Sequence, residues 1–474
     1  MNNLHNFLSS NEGNSVIVVQ GLGFVGSVMS LVCANALSRD YAVIGVDLPE
    51  YDHKIRLLNE GIFPLLAEDP KIELYFKKAI EKKNFFATSD PGCYAHANVI
   101  IVDINLDVKK IKNNDESLDS FDVNLSSFTD AIRTIGTFCK EDVLVLVETT
   151  VPPGTCQKLV VPTLHEILSD RGLTTSKIKI AHSYERVMPG PEYIDSIQNY
   201  PRVYAGIDEK SADAAESFLK TIIDTSKCKL TRLNNTTATE MANVLENSYR
   251  ATNIAFAVEW SRFAEEAGVD LWAIVDAIRV RKTHSNLMYP GIGVGGYCLT
   301  KDPLLASWAH KEFFGFKNDL ITSVRSVSIN DQMPVFAYKR LKKVFGSLQN
   351  LDVVFLGVSY RGDVGDTRFS PVETLYRLIK SETPFIEVHD PYVRKWQELE
   401  LTVLSEVDEV LLGNPDIIII TTAHSEYKSD AFVSKLIKMD NCKIFDTVGI
   451  FSKDQILLLK KKHEISILGS GEII

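Results

Sequence analysis

The sequence predicts an α/β fold: two parallel-sheet domains around a helical middle. Three observations carry that expectation. From residue 16 to about 210, short β-branched runs alternate with helical stretches. A stretch of some thirty residues without proline or glycine then runs up to Gly268, with apolar positions three and four apart. After about residue 330 the strand–helix alternation returns. Alternation of that kind implies crossover connections and parallel strands. A helix as long as the middle stretch suits an element that spans domains or pairs subunits.

In chain order, "MNNLHNFLSSNEGNS" opens the sequence with neither a basic nor an apolar segment. Residues 1–15 read as a disordered leader rather than a signal peptide. "SVIVVQ", "YAVIGVD", "ANVIIVDI", "DVLVLVE", "KIKIAH" and "PRVYAGI" read as buried parallel strands of a first domain, 16–211. Between them "DVKKIKNNDESLDS" reads as a polar surface loop. Residues 212–330 form the helical region. "LDVVFLGVS", "PFIEVHD", "PDIIIITT", "CKIFDTV" and "ISILG" are the strands of a last domain, 331–474, with helices such as "PVETLYRLIK" between them. Each α/β part is expected to be Rossmann-like and doubly wound.

Composition excludes several classes. The net charge of −11, with no basic face or tail, argues against nucleic-acid binding. Seven cysteines without a CxxC pair point to a reducing compartment and offer no metal-ligand spacing. The longest apolar runs are strand-length, so no membrane span is expected. A cytoplasmic protein follows as the expectation.

The first motif is Gly21-x-Gly23-x-x-Gly26, between a strand and a helix. The first glycine makes the tight turn, the second admits a pyrophosphate, and the third lets helix pack on strand. Phe24 and Val25 open the helix whose N-terminus would receive the anion. Asp47 ends the next strand, 26 residues after Gly21, where a carboxylate accepts from a ribose 2′-hydroxyl and repels a 2′-phosphate. NAD is therefore expected over NADP and FAD.

The second motif is "GVGGYCLTKDP", 293–303. Gly293, Gly295 and Gly296 free the backbone ahead of Cys298. Lys301 could activate a thiol or stabilise an oxyanion, and Asp302 could orient or deprotonate a water. Taken alone, a cysteine is more often core than nucleophile.

The Gly-Gly-x-Cys-x-x-Lys-Asp arrangement at 295–302 resembles the active-site signature of the UDP-glucose/GDP-mannose dehydrogenase family. "GLGFVG", "VETTVPPGT" (147–155), "SYERVMPG" (183–190), "LENSYRATNIAFAVEW" (245–260) and "LGVSYRGDVGDTRFSP" (356–371) resemble its other segments, in the family's order. The resemblance implies an NAD-binding first domain, a central dimerisation domain with the cysteine loop, and a UDP-sugar-binding last domain. It implies a homodimer that oxidises the C6 alcohol of a nucleotide sugar to a uronic acid, the kind of product that feeds polysaccharide synthesis. Cys298 would hold the aldehyde as a hemithioacetal and then a thioester, with two NAD per turnover.

Residue by residue, the resemblance implies that Glu185 is a base or water-binding carboxylate and that Thr150 lies beside cofactor and reacting carbon. Asn247 would bond the oxyanion, and Arg361 would face the sugar or phosphate. Arg368 would organise the cofactor, or else pair with Asp363 or Asp366. Arg250 and Tyr289 are further substrate-side candidates, and Gly291, Gly293 and Gly295 would shape the loop over the sugar.

The chain departs from the pattern in places. Asn243 stands where the family usually has a lysine, and loss of a charged oxyanion donor costs on the order of 3 kcal/mol of transition-state stabilisation. Tyr184 replaces a proline, and Asn105 and Leu106 replace a Thr-Pro pair. Arg281, Lys282 and His284 all lie where a subunit-crossing cation is expected. "ENSYRATNIA" favours a UDP-N-acetylhexosamine substrate over UDP-glucose. A single-step oxidoreductase and a catalytically impaired nucleotide-sugar binder remain the alternatives.

Overall fold

The computed structural model describes residues 2–64, 69–184, 186–187 and 190–471. These fall into two compact units. One comprises Met1–Lys109, Val123–Leu245 and Trp308–Lys317; the other comprises Lys110–Asp122, Glu246–Ser307 and Asn318–Ile474.

The first unit is built on an eight-stranded sheet. Its strands are β1 (Ser15–Gln20), β2 (Tyr41–Val46), β3 (Phe85–Thr88), β4 (Val99–Val102), β7 (Leu144–Val147), β8 (Lys179–Tyr184), β9 (Arg202–Gly206) and β10 (Leu230–Arg232); the excursion between β4 and β7 carries β5 (Val108–Lys112) and β6 (Leu118–Val123). The order is β10-β9-β8-β7-β4-β1-β2-β3. Strand β1 pairs in parallel with both β2 and β4, which makes its C-terminal end a topological switch point. Ile17, Val19, Val43, Ile101 and Leu146 pack against helical residues such as Val28, Val32 and Phe76.

The second unit holds the five-stranded order β12-β11-β15-β16-β17. Its strands are β11 (Val353–Leu356), β12 (Ile386–His389), β15 (Ile417–Ile420), β16 (Lys443–Asp446) and β17 (Glu464–Ile467), and a two-residue ribbon joins β13 (Lys395–Trp396) to β14 (Leu401–Thr402). All pairs in the large sheet are parallel. Its strands are apolar without alternation because both faces are covered. Val353, Phe355, Ile417 and Ile419 face one cluster with Leu341, Leu375 and Trp396, while Val354, Leu356, Ile418 and Ile420 face another with Phe432 and Leu436.

The helix Thr236–Ala267 is 32 residues long and ends at Gly268, whose φ of +71° suits a left-handed cap. Tyr249, Phe256, Trp260 and Phe263 stand exposed along it, and the last three rings contact one another at 6.0 and 5.9 Å. Among the described residues no helix is long and apolar enough to cross a membrane.

Three local expectations are corrected. Residues Asn2–Ser10 form a helix rather than a disordered leader, anchored by Phe7 stacking on Phe86 at 5.5 Å and by Asn11 donating to the Lys83 carbonyl at 3.0 Å. The "PRVYAGI" strand runs antiparallel to β8. The polar stretch after β4 is no free loop but the β5–β6 hairpin. Lys110 and Lys112 lie 2.7 and 3.3 Å from Asp331, and the amide of Leu118 donates to Ser328 at 3.1 Å. Burial pushes the Lys110 ammonium below its usual range despite that carboxylate.

Candidate active site

In the first unit the turn after β1 has the geometry that an anion-binding loop needs. Gly21 has a φ of +93°, and a side chain there would overlap the Asp103 carbonyl. A Cβ at Gly26 would overlap the Gly21 carbonyl, which is why helix and strand can approach so closely. Gly23, by contrast, faces open space and caps the helix Phe24–Ala34 without a side-chain bond. Phe24 and Val25 form the first turn of that helix. Asp47 accepts from the Leu22 amide at 2.9 Å and from Leu48 at 2.8 Å, so its carboxylate stands at the rim of the turn. These residues fit a dinucleotide: a glycine turn at a helix N-terminus for the pyrophosphate and an acid for the ribose.

The segment after β7 brings Thr150 against the long helix, where Asn243 donates to its hydroxyl at 3.1 Å. One turn earlier on the same helix face, Glu240 accepts from the amides of Gly154 at 2.5 Å and Cys156 at 2.8 Å. Burial pushes the Glu240 carboxyl up to about 7 against those two donors. Sequence reasoning missed Glu240. The available signal was an acid three residues before Asn243 on the long helix. Glu185 lies outside the described residues.

In the second unit the glycines of 293–296 have a packing reason. A Cβ at Gly293 would meet the Asn330 carbonyl at 2.8 Å, and one at Gly295 the Phe369 carbonyl at 2.9 Å. At Gly296 it would meet the Tyr360 ring at 2.8 Å, while its amide donates to the Arg368 carbonyl at 3.1 Å. The glycines let the loop lie flat on residues 360–371. A Cβ at Gly291 would approach only the Thr447 carbonyl, at 4.0 Å.

That docking leaves Cys298 exposed, whereas the other six cysteines are buried. The Cys298 carbonyl accepts from the amides of Lys301 at 3.2 Å and Asp302 at 2.9 Å, on the turn that leads into the helix Asp302–Glu312. Beneath it Asp302 is fully buried and takes Lys301 Nζ on one oxygen at 2.8 Å and Asn247 Nδ2 on the other at 2.7 Å. Burial raises the Asp302 carboxyl, opposed by the charge of Lys301 and by both donors. Lys301 itself is buried and its ammonium lies 4.6 Å from the centre of the Tyr297 ring.

The remaining candidates fall out as follows. Arg361 is exposed on the turn after β11. Arg368 pairs with Asp366, Nε to Oδ1 at 2.9 Å and Nη2 to Oδ2 at 2.7 Å. Arg250 is exposed on the long helix. Tyr289 is engaged locally: its hydroxyl donates to Asp276 at 2.6 Å, its ring stacks on Trp272 at 5.3 Å, and the Arg279 guanidinium lies 4.7 Å from the ring centre. Arg281, Lys282 and His284 are all exposed.

Comparison with known proteins decides the family. Residues 15–252, 237–331 and 354–453 match the NAD binding, central and UDP binding domains of the UDP-glucose/GDP-mannose dehydrogenase family. The chain belongs to that family. Its relatives include the UDP-N-acetyl-D-mannosamine dehydrogenase of Methanocaldococcus jannaschii, 30% identical over 96% of this chain and 97% of that one. The enzyme of the same name from Pyrococcus horikoshii is 32% identical over 87% of this chain and 90% of its own. The solved structure of a UDP-D-ManNAc dehydrogenase from Pyrococcus horikoshii superposes with a TM-score of 0.78 at 28% identity, covering 97% of this chain and all of the other.

The chain is thus an NAD-dependent nucleotide-sugar dehydrogenase, with a UDP-sugar-binding domain at its C-terminal end. NAD is the cofactor, and the Gly21–Gly26 turn and Asp47 lie within the matched NAD binding domain, residues 15–252.

Proposed function

We propose that this dehydrogenase oxidises the C6 alcohol of a UDP-N-acetylhexosamine to the uronic acid through a covalent bond to Cys298. The observation that carries this reading is the exposure of that one thiol on a glycine-built loop, beside the buried Asp302–Lys301 pair and the Asn247 that donates to it. The N-acetylhexosamine is favoured because the two named relatives act, by name, on UDP-N-acetyl-D-mannosamine. When bound, NAD supplies a hydride acceptor for each of two successive oxidations.

The chain's residues do the rest. After C6 loses its first hydride and the hydroxyl its proton, the Cys298 sulfur adds to the aldehyde carbon and the oxygen takes the thiol's proton, giving a hemithioacetal. Loss of a second hydride and a proton leaves a thioester. Water adds to its carbonyl, the carbon–sulfur bond breaks, and the uronic acid and the thiol are released. Asn247 donates to the developing oxyanion, and Asp302 holds Asn247 in place. Thr150 positions the reacting carbon, Glu185 orients the water, and Arg361 meets the pyrophosphate. Arg368 acts through its pairing with Asp366.

A specific observation favours a second reading, a single two-electron oxidation. Asn243 brings no charge to Thr150, and Lys301 is engaged by Asp302. Incubating limiting UDP-N-acetylhexosamine with excess NAD separates the two, since the thioester route yields two NADH per sugar and the single step one. A panel of UDP- and GDP-sugars assayed for NADH production tests the substrate.

The assembly proposed is a homodimer in the cytoplasm. The exposed Tyr249, Phe256, Trp260 and Phe263 form an apolar stripe of the kind that self-associating helices bury, and seven cysteines outside any disulfide suit a reducing compartment. Light scattering on the purified chain checks the mass.

A further inference from the structure

The turn that carries Arg361 leaves the C-terminal end of β11, at the switch point between β11 and β15. It is held from below by a cluster that resembles a catalytic triad: Ser359, His424 and Asp390, all buried. Ser359 Oγ lies 3.2 Å from His424 Nε2, which lies 3.1 Å from Asp390 Oδ2.

The hydrogen-bond directions exclude nucleophilic chemistry. His424 Nδ1 sits 2.9 Å from the backbone N–H of Asp363, and an amide N–H can only donate. Nδ1 is therefore an acceptor, and the ring proton is on Nε2, directed at Asp390. No lone pair of His424 remains to take a proton from Ser359, whose hydroxyl itself lies 3.1 Å from Asp390 Oδ2.

Every bond in the cluster instead fixes the turn. Asp390 Oδ2 accepts from the amides of Val358 at 2.8 Å and Ser359 at 3.2 Å. Thr422 Oγ1 donates to the Ser359 carbonyl at 2.7 Å. Asp363 adopts a φ of +60°, unusual for a residue with a Cβ, and its carboxylate accepts from Ser425 N at 2.8 Å and Oγ at 2.5 Å. The Tyr360 amide closes the other side on the Asp366 carbonyl at 3.0 Å. Arg361 stands at the crest, and Tyr360 supports Gly295 and Gly296 ahead of Cys298.

We propose that His424 is a positioning residue for nucleotide-sugar binding: its imidazole, held between Asp390 and the Asp363 amide, sets the turn that presents Arg361 and supports the cysteine loop. The inference rests on the reading of Arg361 given under Proposed function.

Binding of UDP and of NAD to the full chain, measured by calorimetry, tests it. His424→Phe removes both the acceptor and the donor, and is expected to weaken UDP binding roughly tenfold or more while NAD binding is unchanged. His424→Gln restores most of the loss, because its carbonyl can accept from Asp363 and its NH2 can donate to Asp390. In steady state the KM for the nucleotide sugar rises more than that for NAD. Should His424→Phe fail to fold, His424→Asn, a shorter side chain that cannot bridge Asp390 and the Asp363 amide together, is read in its place with the same expectation. UDP binding equal to wild type in the folded variants overturns the inference, as does a parallel loss of UDP and NAD binding. Failure of the wild-type protein to bind UDP overturns the nucleotide-sugar reading instead.

Discussion

Lys301 Nζ lies 2.8 Å from Asp302 Oδ1, with both side chains buried. The lysine three residues after Cys298 is therefore the counter-charge of a buried carboxylate rather than a free cation. Removing one member of such a pair leaves the other charge unpaired in a medium that solvates it poorly. Lys301→Met is expected to destabilise the protein by about 3–5 kcal/mol. Lys301→Met combined with Asp302→Asn recovers most of that stability without activity. Urea unfolding of the three proteins checks both statements.

Cys298 differs from the other six cysteines by exposure. One equivalent of iodoacetamide is expected to label Cys298 under native conditions and to abolish turnover. Peptide mass spectrometry identifies the site, and NAD titration of the labelled protein is expected to show unchanged affinity. Labelling of a buried cysteine first would contradict the placement.

Asn243 is tied to Thr150 by a 3.1 Å bond. Loss of one such bond is worth about 1 kcal/mol, so Asn243→Ala is expected to lower kcat about fivefold with little change in the KM for NAD. Asn243→Lys supplies the charge that the amide lacks and is expected to raise the rate of the second hydride transfer. Single-turnover traces with two resolved phases report that rate directly.

Burial raises the Glu240 carboxyl to about 7, above the ordinary value of 4.5. Between these values the folded chain holds a proton that the unfolded chain has released. Stability from this group is thus present below pH 4.5 and is lost as the pH rises through 7, by on the order of 3 kcal/mol. The stability difference between wild type and Glu240→Gln, followed by denaturant melts across that range, is expected to shift against wild type as pH increases. A difference independent of pH would rule the assignment out.

The legible parts of the fold were those written in local patterns. Runs such as "VVFL" and "IIII" lack polar positions because both faces of the sheet are covered, and this can be read without coordinates. The glycine turn was legible in part for the same reason, since Gly26 answers to the Gly21 carbonyl five residues before it, whereas the Asp103 carbonyl that constrains Gly21 lies far along the chain. What was hidden depended on distant partners. The β5–β6 lysines look like solvated charges until Asp331, over two hundred residues later, is beside them. The direction of β9 is not encoded in its own alternation. The N-terminal helix is anchored by Phe7 on Phe86 and by Asn11 on the Lys83 carbonyl, partners that lie far along the chain. At the cysteine loop the glycines were legible as necessary, but their cause was not. They admit residues 360–371, which no spacing within 293–303 announces.

The central claim is that Cys298 carries the sugar through a thioester. Its most direct test is the yield of NADH from a limiting amount of UDP-N-acetylhexosamine in excess NAD, with the carboxylate product quantified in the same reaction. The account predicts two NADH and one uronic acid per sugar in wild type, and no uronic acid from Cys298→Ala. One NADH per sugar, with aldehyde as the product, would contradict it.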